Sequence, residues 1–312
     1  MAQERLSYAY GTSSQPLLGM TIGEKFDQAC QQYANQDAVV SVHQNVRLSY
    51  KQLQAQVNAF ACSLLQLGLE KGDRIAIWSP NCVEWTITQF AAFKAGIILV
   101  NLNPAYKSSE LEYVLNKVSC KALVIAAQFK SSNYQEILTK IAPEITQSTS
   151  KLVSAKRLPH LKHIIKIDHE AHGGIHRFAD LLPEPTPLQL DQLQAIAADL
   201  QFDETINIQL TPGTTGNPKG TMLTHNNILN NGYFVGEAIH LTPQDRVCIS
   251  VPLFHCFGMV MGNLACITHG SAMIYPSAVF NPLDTLKTIQ QEKCTAAYGV
   301  PTMFIALLEH EQ

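Results

Sequence analysis

Three glycines, four threonines and one lysine fall within the run Leu210-Thr211-Pro212-Gly213-Thr214-Thr215-Gly216-Asn217-Pro218-Lys219-Gly220-Thr221. Glycine lets the backbone take positive φ and come close to a ligand, so successive amides can turn inward as an anion nest. Thr211, Thr214 and Thr215 add hydroxyl donors and Lys219 adds a mobile positive charge, and every one of these donors suits a polyphosphate. In a Walker A loop Lys directly follows Gly and precedes Ser or Thr, whereas Lys219 stands between Pro218 and Gly220, which disfavours a P-loop kinase or GTPase. The run is expected between a strand and a helix, where α/β sheets place ligands. Val251-Pro252-Leu253-Phe254-His255 reads as a strand ending in a loop, and its histidine either serves a reaction or sits satisfied in the core. Tyr298-Gly299-Val300-Pro301-Thr302 reads as a strand followed by a Pro-broken turn and a helix. His160, His163, His169, His172 and His176 form a cluster, but His169-Glu170-Ala171-His172 is one residue short of the spacing that puts two histidines on one helix face, and Gly173-Gly174 would fray such a helix. A solvated polar loop is expected there, and no metal site.

The glycine-threonine run resembles the signature loop of the AMP-forming acyl-CoA synthetases, in the adenylate-forming superfamily, which reads close to TSGTTGxPKG followed by a Thr-His or Ser-His pair. Thr224-His225 supplies that pair. The segments GLEKGDRIAIW, NLNPAYKSSELEYVL, VPLFHCFGM and YGVPTMF are similar to members that act on medium-length fatty acids. The resemblance implies a carboxylate attacking the α-phosphorus of ATP to give an acyl-adenylate, then the CoA thiol attacking the acyl carbon, with ATP, Mg²⁺ and CoA required. It implies phosphate binding by Thr211, Gly213, Thr214, Thr215, Gly216 and Lys219, catalytic roles for Lys219 and His255, and an acyl pocket at His255, Gly299, Val300, Pro301 and Thr302. Pro212 departs from the pattern: it stands where the family has Ser, which removes a hydroxyl and a backbone N–H.

Elements able to position these residues alternate along the chain. Thr21-Ile22-Gly23-Glu24 and Ser49-Tyr50-Lys51-Gln52 are capping boxes, each opening a helix with apolar residues at helical spacing. Strands are expected at 38–42, 74–78, 96–100, 122–126, 206–210, 247–251, 272–275 and 296–298, with a further candidate strand at 163–168 inside the otherwise irregular stretch 142–202. Helices are expected near 82–95, 108–117, 226–239 and 283–292. Continuous apolar strands separated by amphipathic helices predict an α/β fold of mainly parallel sheets covered by helices, the N-terminal part of the large domain of an adenylate-forming enzyme by resemblance.

Composition sets the outer bounds. A chain of 312 residues with 46% hydrophobic and 15% charged residues builds a self-sufficient core. A net charge of -3 gives no global electrostatic reason to bind nucleic acid. The most apolar stretch, Gly258 to Tyr275, is interrupted by Asn263 and His269 and is shorter than the roughly 20 residues of a membrane span. Eight scattered cysteines without a Cys-x-x-Cys pair read as reduced thiols, and a cytoplasmic location is expected.

By resemblance the 312 residues form one truncated AMP-binding domain, with parts at about 1–140 and 203–312 joined by a connection at about 141–202. The family's aromatic-Gly-x-Thr-Glu motif, whose Glu helps hold Mg²⁺, and its mobile C-terminal domain are absent from the sequence. The chain is therefore expected to be inactive alone, and a complementing C-terminal polypeptide is the partner this implies. Two other readings stay open: a non-catalytic remnant that binds nucleotide phosphate or acyl chain, and a ligase for another carboxylate such as an aryl acid.

Overall fold

The structure, a computed structural model, describes residues 14–147, 150–168, 173–211 and 217–310. Both capping boxes are present. Thr21 opens α1 (Ile22–Gln32): its hydroxyl accepts from the Glu24 amide while the Glu24 carboxylate accepts from the Thr21 amide. β1 (Asp37–Ser41) and β2 (Val46–Ser49) make an antiparallel hairpin, and Ser49 with Gln52 caps α2 (Tyr50–Gln66) in the same way. The expected alternation follows in β3 (Arg74–Trp78), α3 (Val83–Lys94), β4 (Ile98–Asn101), α4 (Ser108–Lys117) and β5 (Ala122–Ala126). A minimal hairpin of β6 (Gln128–Phe129) and β7 (Ser132–Asn133) leads into α5 (Tyr134–Ile141) and α6 (Glu144–Gln147).

The stretch 141–202 carries more regular structure than a surface connection. It supplies β8 (His163–Ile167), β9 (Ile175–Arg177), a 3₁₀ turn (Phe178–Leu181) and α7 (Pro187–Asp199). Thr186 caps α7 and Pro187 takes its first position, where a missing N–H costs nothing. Because α7 buries only Leu193, apolar spacing gives no sign of it in the sequence. The second half of the chain continues with β10 (Thr205–Thr211), β11 (Lys219–Thr224), α8 (His225–Ala238) and β12 (Arg246–Ile249). A π-helical stretch (Phe257–Leu264) then runs into α9 (Ala265–His269), followed by β13 (Ala272–Tyr275), α10 (Pro282–Gln291), β14 (Ala296–Tyr298) and α11 (Pro301–Leu308).

Two sheets result. One has seven strands in the order β11-β10-β4-β3-β5-β8-β9, and all its pairings are parallel except β10 with β11. The other has five strands in the order β14-β12-β13-β1-β2, parallel except for β1 with β2. The seven-stranded sheet runs across both expected sub-part limits, since β8 pairs with β5 and β10 with β4.

The larger hydrophobic core lies between the sheets. Phe26, Phe60, Phe90 and Leu229 from the helices meet Ile75, Ile77 and Leu99 of one sheet and Val247, Ile249 and Met273 of the other. A second core covers the opposite face of the seven-stranded sheet, where α4 and α5 bring Leu111, Val114, Tyr134 and Leu138 onto Ala76, Val100 and Leu123. Trp78 and Tyr134 stack there with ring centroids 3.6 Å apart. Parallel strands buried on both faces explain why they read as unbroken apolar runs. Among the described residues no helix is long and apolar enough to cross a membrane.

Candidate functional site

Thr211 ends β10 and Lys219 begins β11, and the two residues pair in the antiparallel register. The Thr211 hydroxyl donates to the Lys219 carbonyl across this closure, at 3.5 Å. The glycine-threonine run therefore joins strand to strand, which corrects the expected strand-to-helix placement. β11 is an edge strand with its first four residues exposed, Met222 included, so no apolar alternation announces it. Both Thr211 and Lys219 are exposed, and the Lys219 ammonium has no ion pair among the described residues. Pro212, Gly213, Thr214, Thr215 and Gly216 lie outside the described residues.

The Thr224-His225 pair is architectural. The Thr224 hydroxyl accepts from the Asn227 amide and so caps α8. His225 is fully buried, and its Nδ1 accepts from the Ile22 amide at 3.1 Å, tying the start of α1 to α8. Burial pushes its pKa down to about 4, so the imidazole is neutral.

His255 stands in the turn between β12 and the π-helical stretch. It is exposed, which removes the reading of a buried core histidine. Its Nδ1 accepts from the Phe257 amide at 3.1 Å, and this bond assigns the ring proton to Nε2. The His255 carbonyl accepts from the amides of Gly258 and Met259. Gly258 is needed for this close turn, because a Cβ there would lie 2.3 Å from the Pro252 carbonyl oxygen. Asn81 braces the same segment: its Nδ2 donates to the Val251 carbonyl at 3.0 Å and its Oδ1 accepts from the Leu253 amide at 2.8 Å.

Tyr298 ends β14 and its ring meets Phe257 edge-on, with centroids 5.4 Å apart, beside the His255 turn. Burial pushes the Tyr298 phenol upward, so it stays protonated. Gly299 follows, Val300 caps α11, and Pro301 and Thr302 are its first, exposed residues. A cavity of about 100 Å³ opens between the sheets, lined by Pro80, Asn103, Phe129, Ser250, Phe254, Val279, Phe280 and Met303 among others. His255 and Thr302 each adjoin a lining residue, Phe254 and Met303, but neither they nor Gly299, Val300 and Pro301 line the cavity.

All these segments leave the C-terminal ends of parallel strands: Pro80 after β3, Asn103 after β4, Thr211 at the end of β10, and the turns after β12, β13 and β14. That edge is where open α/β sheets bind ligands. His160 is exposed, while His163 and His176 face each other with ring centroids 5.6 Å apart, both held neutral by burial. His169 and His172 lie outside the described residues. Among the described residues no three His, Cys, Asp or Glu side chains gather as a metal-binding group.

The sequence matches the AMP-binding enzyme family over residues 26–312. The chain belongs to that family. It is 42% identical over 307 residues to the mitochondrial medium-chain acyl-CoA ligase ACSF2 of Macaca fascicularis, an alignment that covers 97% of this chain and 50% of the relative. The human protein of the same name is 41% identical over 307 residues, with 97% and 50% covered. The chain thus spans about half the length of the curated relatives it matches. Among solved structures, the anthranilate CoA ligase AuaEII in complex with anthranoyl-AMP superposes with a TM-score of 0.78 at 24% identity, over 95% of this chain and 54% of that one. The inhibitor-bound N-terminal domain of FACL13 from Mycobacterium tuberculosis gives 0.74 at 22% identity, over 93% and 65%. These superpositions bear on the fold, which is that of the family's large N-terminal part.

The relatives also correct the expected cytoplasmic location, because the ACSF2 ligases are mitochondrial proteins. The eight cysteines are indeed free thiols. A free thiol marks a reducing compartment without choosing one, which is why cysteine usage pointed to the wrong place.

ATP and Mg²⁺ are the groups this family implies. The hairpin fits the nucleotide, since Lys219, exposed and without an ion pair among the described residues, stands opposite Thr211 across its closure. The metal fits less well: 217–224, 250–258 and 298–303 contain no Asp or Glu. Sequence reasoning missed Asn81, Asn101, Asn103, Phe129 and Phe280. A polar residue closing a buried apolar strand, as Asn101 closes Ile98-Leu99-Val100, was the available signal for the first of the strand-end amides.

Proposed function

We propose that this chain is the nucleotide- and acid-binding part of an AMP-forming acid-thiol ligase that acts on a fatty acid. The observation carrying this reading is the common edge at which Lys219, His255 and the apolar cavity are displayed. In the first step a carboxylate oxygen forms a bond to the α-phosphorus of ATP, and the α,β-bridging bond breaks, its electron pair leaving on pyrophosphate. Lys219, with Thr211 and the hairpin amides, neutralises charge that builds on the departing group. His255 presents Nε2–H to the carboxylate at the mouth of the cavity and orients it without taking its proton. In the second step the CoA thiol gives its proton to solvent and its sulfur bonds to the acyl carbon, while the acyl–oxygen bond of the mixed anhydride breaks and AMP leaves with that electron pair. The segments described hold no carboxylate for Mg²⁺, so we assign the metal to the phosphates and to polypeptide outside this chain.

The chain is one incomplete AMP-binding domain on this reading, able to bind but not to turn over. Calorimetry with ATP tests it: the chain binds ATP, and Lys219→Ala weakens that binding at least tenfold, the loss of one charged hydrogen-bond donor, while octanoate binding is unchanged. Equal ATP affinity in the two proteins would remove Lys219 from the site. Octanoate-dependent exchange of pyrophosphate into ATP is expected to be absent, and robust exchange would show that residues outside this chain are dispensable for the first step. A second reading, an aryl acid in place of the fatty acid, is favoured by the cavity itself. Phe129, Phe254 and Phe280 wall it, and aromatic faces stack on an aryl ring in a way an alkyl chain does not match. Tighter binding of benzoate than octanoate would select it.

A further inference from the structure

Between the two sheets, in a region otherwise packed with apolar side chains, lies a chain of buried amides. Gln89 and Asn207 are fully buried, and Asn101 is 2% and Gln209 8% exposed. Asn101, closing β4, donates from Nδ2 to the Phe254 carbonyl at 3.2 Å and to the Met259 sulfur at 3.0 Å. Its Oδ1 accepts from Nδ2 of Asn207 on β10 at 3.0 Å. Gln209, two residues before Thr211, donates from Nε2 to the Asn207 Oδ1 at 3.0 Å and to the same Met259 sulfur at 3.1 Å. From the other side, Gln89 of α3 donates to the Met259 carbonyl at 3.2 Å. Met259 closes the circuit, because its own amide donates to the His255 carbonyl at 3.1 Å.

Met259 is therefore a node. It ties the His255 turn to β4, to α3 and to the strand that ends in the phosphate hairpin. Burying amides is costly unless each is bonded, and apolar residues of similar volume would fill a core as well or better. What the amides supply that leucines would not is a single register between the bodies they join. The π-helical stretch that carries Met259 has the same character: its wider turn is uncommon and gathers at working sites.

We propose that Asn101 and Gln209, acting through Met259, are positioning residues that lock the His255 turn to the end of β10, holding the histidine and the phosphate-binding hairpin at one fixed separation. The role rests on the proposed function above, because it matters only if those two groups serve one ligand. A ligand that touches one of them tolerates slack between the two, whereas a ligand that bridges both does not.

The test compares Asn101→Leu and Met259→Leu with the parent chain, the second being a volume-conserving change in case the first does not fold. Hydrogen exchange is read at the Gly258 and Met259 amides, which bond to the His255 carbonyl, against amides of β5 as an internal reference. Loss of the lock predicts roughly tenfold faster exchange at Gly258 and Met259 with β5 unchanged. In parallel, dissociation constants are measured for ATP alone and for a non-reactive bridging mimic in which an alkyl chain is esterified to the α-phosphate of an intact ATP triphosphate. The variants are expected to bind the bridging mimic about tenfold more weakly and ATP within twofold of the parent. Unchanged exchange, or an equal loss for both ligands, would overturn the proposal. A parent chain that binds neither ligand defeats the functional reading instead, and the exchange measurement still decides whether the lock exists.

Discussion

Lys219, His255 and His225 show how the same chemistry is used for opposite ends. Lys219 and His255 are exposed on the strand-end edge, whereas His225, from the motif pair that follows the glycine-threonine run, is enclosed and serves as a backbone acceptor. Its depressed pKa makes it a stability determinant. The unfolded chain binds a proton at this group below about pH 6.5, while the folded chain resists until about pH 4. Stability from His225 is therefore intact above pH 6.5 and is lost as pH falls toward 4, by an amount on the order of 3 kcal/mol. Denaturant titrations across that interval are expected to show the decline, and His225→Gln, which keeps an acceptor without a titrating ring, should flatten it. An equally steep loss in the variant would clear His225 of the effect. At Pro212 the expectation comes from the sequence: Pro212→Ser restores a hydroxyl and an N–H to the loop and should tighten ATP binding, and equal dissociation constants would show those donors to be idle.

Two elements decide how the site is held. The hairpin of β10 and β11 brings the two ends of the glycine-threonine run together at a sheet edge, where Thr211 pairs with Lys219. The turn into the π-helical stretch is held by Asn81 and by the contact of Gly258 with the Pro252 carbonyl. Gly258→Ala forces that contact apart, and overpacking of this kind costs about 1–3 kcal/mol. The variant should melt at lower temperature and lose binding of the bridging mimic, and a melting temperature within a degree of the parent would show that the turn has room. The capping boxes, the strands β3, β5 and β13 and the helix α4 were legible because each rests on a pattern within one short segment. β11 and α7 were not: one is an exposed edge strand and the other buries a single leucine, so neither leaves the apolar periodicity on which such reading depends.

For the whole molecule the informative surface is the one around α11. Its sequence, PTMFIALL, is apolar on every side, yet it buries none of its residues, and Val300, Phe304, Ile305 and Leu308 are 43%, 42%, 51% and 87% exposed. β14 beside it is the edge of the five-stranded sheet, so among the described residues an unpaired strand edge adjoins an apolar helix. Such a surface binds hydrophobic dyes and promotes association. The 312-residue chain is expected to enhance dye fluorescence and to self-associate with rising concentration, and Ile305→Lys combined with Leu308→Lys should suppress both without lowering the melting temperature. A dye-silent monomer would refute this. The division between what the amino-acid order specifies and what folding adds has a physical origin. Loop chemistry, helix caps and buried parallel strands depend on neighbours in the chain, so the fold class could be read directly and the glycine-threonine run could be singled out as the candidate for phosphate. The edge placement of the hairpin, the exposure of His255 and the enclosure of His225 depend on contacts between distant residues: Asn101 reaches Met259 from 158 positions away, and Ile22 reaches His225 from 203. Only the packing of two sheets around shared helices brings those partners together, because a hydrogen bond between remote residues leaves no periodic trace in the sequence.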